Sequence, residues 1–280
     1  MGDSLFNRYF YKIKKDKVAF ISLIIISLLI IASILIQFYP KDPNAIDISN
    51  GLVRPSKENF FGTDDLGRDY FTRVFYGGRA SLAVGFLAMI ISTVIGTIVG
   101  VISGYYGGIV DDIIMRIIDI LMSIPSFFLI LILNSYLKPG IKNIIIIIGL
   151  FGWMGIARIV RAETLSLKER EYVLYAKMIG IKDRLIMIRH IIKNIFSTVV
   201  VTSTINIASA ILTESSLSFL GLGVQQPNSS WGSMLRDAQK YLGEYSYLAL
   251  FPGLLILITV LCFNVLGDSL RYVVEAKSEN

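Results

Sequence analysis

The sequence predicts an all-α integral membrane protein whose six transmembrane helices form one bundle, and three observations carry that reading. Hydrophobic residues make up 54% of the chain and its mean hydropathy is +0.65, both above the norm for a soluble domain. The apolar residues gather into six runs, at 18–39, 80–104, 117–137, 143–157, 195–218 and 247–266. These runs do not alternate; residues 144–148, for example, are all isoleucine. A closed barrel, the other structure that satisfies its backbone in lipid, needs short alternating strands.

A helix over 18–39 reaches roughly 33 Å, enough to cross a ~30 Å hydrocarbon core. Its basic start, Arg8, Lys12, Lys14, Lys15 and Lys17, resembles that of a secretory signal. The apolar core is too long and no small-x-small site follows, so an uncleaved anchor is expected. The fourth run is short, and we expect its helix to continue past Arg158 with that side chain snorkelling. Six spans place the N-terminus, the turn before Arg116, the 158–194 connector and the tail with Arg271 and Lys277 on one side. That side holds most of the Lys and Arg, so both termini are expected to be cytoplasmic. The net charge of +6 then reflects topology and anionic lipid, with no need of nucleic acid. Lone Cys262 and lone His190 cannot build a His- or Cys-rich metal site from this chain. With no repeat of fixed period, the expected organisation is an anchor helix and extracytoplasmic segment over 1–79, then a five-span core over 80–280.

The segment between the first two spans contains Phe61-Gly62-Thr63-Asp64-Asp65-Leu66-Gly67-Arg68-Asp69. The glycines permit a tight backbone, and Asp64, Asp65 and Asp69 can cap amides or pair with Arg68 and Arg73. The loop either satisfies itself or contacts an external protein. Gly96, Gly100 and Gly104 recur once per turn in the second span and predict a helix-packing face. Tyr105-Tyr106-Gly107-Gly108 predicts a turn that leaves the second and third spans antiparallel. Asp111, Asp112, Arg116 and Asp119 read as an interfacial charge network. In the fifth span Glu214 is the acid expected to face protein or water, as a partner of Ser215 or Ser218 or as a substrate contact, with Asn206 and Thr204 of the same kind.

The connector is the most informative polar stretch. Ser166-Leu167-Lys168-Glu169 has the form of a capping box and predicts a helix from Ser166 to about Gly180. Leu165, Tyr172, Ala176 and Ile179 would share its apolar face. Gly180 would end it in a left-handed conformation, and Asp183 would cap a second helix carrying Leu185, Ile188 and Ile192 on one side.

At these residues the chain resembles the inner-membrane permease subunits of binding-protein-dependent ABC importers, in the dipeptide, oligopeptide and nickel group. Glu171-Tyr172-Val173 with Ala176, Gly180, Arg189-His190 and Asn194 is similar to that group's cytoplasmic motif. Phe61 to Asp69 with Arg73, Gly77, Arg79 and Ser81-Leu82 is a second match, and Ser218-Phe219-Leu220-Gly221-Leu222-Gly223 with Trp231-Gly232-Ser233-Met234-Leu235 a third. The wider family's Glu-Ala-Ala triplet falls on Leu174-Tyr175-Ala176, and its usual Pro is Lys193, which suggests a smoother run into the fifth span.

The resemblance implies a type I importer-like fold in a bacterial cytoplasmic membrane, a second related permease subunit, two cytoplasmic ATPase subunits and an extracytoplasmic substrate-binding protein. The connector helix, at about 166–180, would be the coupling helix: Glu171, Tyr172, Ala176 and Gly180 would couple, and Arg189 and His190 would anchor. Asp64, Arg68 and Asp69 would form the outer docking region or its scaffold, and Asn206, Glu214 and Ser215 are intramembrane polar candidates for the path. The chain lacks a G-x-x-x-x-G-K-[ST] loop, so ATP and Mg would be handled on the partner subunits, with no cofactor and no catalysis here. Peptide is the expected cargo, with nickel or a metal chelate as the alternative. An ion-coupled secondary transporter would be expected to show internal symmetry, a channel a filter or charged ring, and a membrane-embedded enzyme a motif such as H-E-x-x-H or more than one His and one Cys; none is evident in the sequence.

Overall fold

A computed structural model describes residues 16–137 and 140–278, those from 273 on as backbone only. Arg8, Lys12, Lys14, Lys15 and Lys138, which enter the charge argument, lie outside the described residues, as does the side chain of Lys277. Among the described residues the regular elements are helical, apart from one isolated antiparallel bridge between Thr63 and Asp69.

Helix α1 (Lys17–Leu35) starts at Asp16, whose carboxylate accepts from the amides of Val18 and Ala19, and runs into a 3-10 turn at Ile36–Phe38. After a polar segment over 39–69, α2 (Tyr70–Tyr106) begins at Asp69, whose side chain accepts from the Thr72 amide. This helix starts ten residues before the apolar run, because an N-cap and aromatic packing stabilise the extra turns. Helices α3 (Gly108–Met122) and α4 (Ser126–Tyr136) follow, then α5 (Ile141–Lys168) and a short α6 (Glu171–Met178). Helix α7 (Asp183–Ile186) continues through a π turn (Met187–Ile192) into α8 (Lys193–Phe219). Helix α9 (Trp231–Ala238) and α10 (Tyr247–Ser278) complete the chain.

Five helical stretches are long and apolar enough to cross a bilayer, and a bent pair supplies a sixth if it counts as one span. The third expected span, 117–137, is such a pair: α3 starts earlier, at Gly108, and meets α4 at 77°. Pro125 has no amide to donate and sterically disfavours a helical residue before it, so the helix breaks at Ser123–Ile124.

The bundle is centred on α2, which packs along most of α5 and also against α8, while α8 packs on α10 and α1 lies against α10 and α2. The glycine row makes the α2–α5 approach possible. A Cβ at Gly96 would lie 2.8 Å from the Trp153 carbonyl, at Gly100 2.6 Å from that of Ala157, and at Gly104 2.8 Å from that of Arg161. The expected packing face is present, and its partner is the fourth span. Close backbone approach substitutes for the hydrophobic driving force that lipid removes. At one end of this pair Arg161 donates to Asp111 through Nε and Nη2, each at 2.5 Å, and Arg158 pairs with Asp119. Of the expected charge network, Asp111 and Asp119 form cross-helix ion pairs with α5, while Asp112 and Arg116 enter no ion pair among the described residues.

Candidate functional site

The connector forms from a helix that does not stop where its capping pattern suggests. Ser166 is an exposed residue inside α5, which runs on to Lys168; the break comes at Glu169 and Arg170, and α6 starts at Glu171. The intrahelical ladder of the fourth span continues past Arg158 and outcompetes the local cap. Glu171 then lies in the first turn of α6 and Lys177 in the last, each favourable to the helix dipole. At the other end Gly180 has φ +79°, and the amides of Gly180 and Ile181 donate to the carbonyls of Lys177 and Ala176 at 3.1 Å. No atom lies within 4 Å of a Cβ built at Gly180, so the conformation alone selects glycine there.

The apolar face also differs from the expected one. Val173 and Ala176 are buried against Ile186, with Tyr105 and Ile181 at the margin. Tyr172 and Ile179, expected on the buried side, are exposed, as are Leu174, Tyr175 and Met178; Met178 is 85% exposed. On the following stretch Ile186 and Ile191 are fully buried, while Leu185 and Ile188 are exposed. The π turn widens the helix, so residues five apart face the same way and the 3.6-residue count fails. Asp183 makes no cap; its carboxylate accepts from the Tyr105 hydroxyl at 2.6 Å, tying the connector to the end of α2. His190 sits beside Tyr172, ring centroids 6.3 Å apart, and Arg189 is exposed. Tyr105, Val173 and Ile186 are therefore the anchors that sequence reasoning missed.

The segment between α1 and α2 is closed on itself. Asp64 accepts from the Leu66 and Arg68 amides at 3.0 Å, pairs with Arg68 Nε at 2.7 Å and lies 3.3 Å from Arg73 Nε. Asp69 takes Lys41 Nζ at 2.8 Å in addition to its capping bonds. Asp64, Arg68, Asp69 and Arg73 are all buried. Gly67, with φ +74°, permits this, since a Cβ there would lie 1.7 Å from the Asp47 carbonyl oxygen. Tyr247 Oη donates within 3.0 Å of the carbonyls of Val53 and Thr63, and Phe61 stacks on Phe251 at 3.9 Å, so the segment is fastened to α10.

Glu214 is wholly buried where α2, α8 and α9 meet. It accepts from Ser218 Oγ at 2.6 Å and Ser81 Oγ at 2.9 Å, with Ser215 Oγ at 3.5 Å. The Trp231 amide donates to Ser81 Oγ at 3.2 Å, and Trp231 Nε1 donates to the Val74 carbonyl at 3.0 Å. This clasp holds α9 against the spans. Asn206 Nδ2 donates to Ser92 Oγ at 2.7 Å, a second polar tie between α8 and α2. Ser81 and Trp231 lie far from Glu214 in sequence, and no periodicity signals their meeting.

These features define a polytopic membrane protein whose spans carry a short, half-anchored helix at one face and a charge-locked segment at the other. The chain belongs to the family of binding-protein-dependent transport system inner membrane components, whose profile matches residues 96–280. It is 40% identical to the oligopeptide transport system permease protein of Bacillus subtilis over 98% of this chain and 90% of that protein. Over 99% of this chain and 92% of the relative it is 42% identical to the Escherichia coli K12 oligopeptide permease. It is 39% identical to the dipeptide transport system permease of Alkalihalophilus pseudofirmus over 97% of this chain and 90% of that one.

Proposed function

We propose that this chain is the permease subunit of an ATP-driven importer that carries oligopeptides or dipeptides across a bacterial cytoplasmic membrane. Both termini lie inside, and the connector helix α6 is the coupling element. The observation that carries this reading is the division of α6: Val173 and Ala176 fix it to the bundle, while Tyr172, Leu174, Tyr175, Met178 and Ile179 form an uncovered apolar surface beyond the spans. Such a patch on a polar connector fits a protein partner.

The partner is an ATPase subunit, one of two that bind ATP and Mg. Its closure displaces α6, and the Tyr105–Asp183 tie and the cluster around Ile186 pass that displacement to α2 and α8. The spans then open outward beside a second, related permease subunit, and a binding protein docked on the outer side releases its cargo between them. The locked cluster of Asp64, Arg68 and Asp69 serves as the scaffold of that docking side, since its charges are consumed internally. Peptide is favoured over nickel or a metal chelate because the relatives named above are oligopeptide and dipeptide permeases. Membership of a binding-protein-dependent family argues against ion-coupled transport.

Glu171→Arg and Gly180→Pro, introduced singly into the assembled complex, should cut peptide uptake and peptide-stimulated ATPase activity by about five- to a hundredfold, the range of typical coupling energies. Membrane insertion should persist. Wild-type transport in both variants would sink the assignment, as would labelling of Met178→Cys by an impermeant thiol reagent applied outside intact cells.

A further inference from the structure

We propose that a row of polar side chains on α8, centred on Ser209, lines the passage and hydrogen-bonds the amide groups of a peptide crossing it. Thr198, Thr202, Asn206, Ser209, Thr213 and Ser216 are spaced four, four, three, four and three residues apart, so they share one face of the helix. From Thr198 to Ser216 that face extends about 27 Å at 1.5 Å per residue, close to the ~30 Å thickness of the hydrocarbon core. The bond from Asn206 to Ser92 sets its depth, because Ser92 stands midway along the apolar run 80–104 of α2. Ser209 lies one turn further along α8, still inside the core.

The members of the row are unequally engaged. Thr198 donates to Glu163 at 3.2 Å and Thr202 to carbonyls of its own helix, and both are half-buried, as is Asn206. Thr213 and Ser216 each donate at 2.8 Å to the carbonyl four residues before them, which satisfies the hydroxyl within α8. Ser209 is exposed and makes no side-chain hydrogen bond among the described residues.

Lipid is a poor cover for such a face. The exposed residues of α2 between 86 and 98, such as Phe86, Ile90 and Val94, are all apolar, and so are those of α10 between 250 and 261, such as Leu257 and Leu261. A hydroxyl left without a partner in hydrocarbon costs free energy, and water or a peptide amide removes that cost. Every peptide residue except proline carries one N–H and one C=O whatever its side chain, and a hydroxyl can serve either. A row of such groups therefore suits a cargo of varied sequence. Glu214 and Ser215, the other intramembrane candidates, face the clasp with α2 and α9 and lie off the row. This inference rests on the proposed import of peptides and adds the surface that the peptide meets.

The test is the rate at which a positively charged methanethiosulfonate modifies single cysteines in the complete complex, held in lipid nanodiscs, with Cys262→Ala as background. Ser209→Cys, Thr213→Cys and Ser216→Cys are compared with Ile90→Cys and Leu261→Cys, without nucleotide and after trapping with Mg-ATP and vanadate. Only a thiolate reacts, and hydrocarbon suppresses it, so the row should react at least about tenfold faster than the two comparison sites in one of the states. In complexes that assemble, Ser209→Leu should lower peptide uptake about two- to tenfold, the worth of one hydrogen bond, and Ser209→Thr should keep most of it. Rates at the comparison level for all three cysteines, in a complex that takes up peptide, would overturn the inference and leave the proposed function standing. Unchanged uptake in Ser209→Leu would overturn it as well. Fast modification in a complex that takes up no peptide would strike the proposed function and the peptide as occupant together.

Discussion

The segment before α2 and the connector around α6 both lie beyond the ends of spans and both are rich in charge, yet they are built in opposite ways. In the first, Asp64, Arg68, Asp69 and Arg73 are buried and bonded to one another, to amides and to Lys41. In the second, Glu171, Lys177, Lys182 and Arg189 are exposed, and so are Tyr172, Leu174, Tyr175, Met178 and Ile179. Buried, mutually satisfied charge holds a shape, because removing one partner strands the other in a low dielectric. Uncovered apolar surface leaves a shape open to completion by another protein. The contrast is between a fixture and a handle.

The comparison is broken most readily at the segment before α2. Asp64→Asn leaves two buried guanidinium groups without their carboxylate and should cost about 3–5 kcal/mol. The apparent Tm of the purified complex should fall sharply; an unchanged Tm would mean that the cluster is no fixture. A smaller effect is expected where the connector meets the bundle. Tyr105→Phe removes one hydrogen bond to Asp183, worth about 0.5–1.5 kcal/mol. Amides of 171–181 should then exchange hydrogen faster while those of the spans do not change. The smallest effect on stability is expected from Tyr175→Ser at the exposed face, within about 0.5 kcal/mol. Its peptide-stimulated ATPase activity should nevertheless fall, and full activity would remove the argument for a handle.

The spans were legible because lipid leaves a long apolar run few alternatives, and the glycine row was legible because small residues once per turn have one main use in a bilayer. The bend at Pro125 was readable in principle, since proline has no amide, but the run 117–137 is apolar enough to conceal it. The Ser166 pattern misled because a capping box is a local signal and α5 was already propagating through it. The face of the stretch from Asp183 differs from the expected one because a 3.6-residue count fails across a π turn that brings Ile186 and Ile191 together, and that of α6 differs because Val173 and Ala176 pack on Ile186, a contact between elements. Glu214 was recognised as a partner for hydroxyls, but Ser81, which lies on another span, was not identified as one. Pairings of that kind follow from packing, which no window along the sequence contains.

Helix α2 is a single 37-residue rod, about 55 Å from end to end at 1.5 Å per residue. Its first turn is rooted in the Asp69 cap, and its last turn carries the Tyr105 hydroxyl that grips Asp183. Its glycine contacts with α5 lie between Gly96 and Gly104, in the last third of the rod, so a tilt of about ten degrees about Gly100 would carry the Tyr70 end by about 8 Å and the Tyr106 end by about 2 Å. The two membrane faces are joined by one unequal lever, and a short push at the connector end would become a longer stroke at the far end without any chain having to unfold.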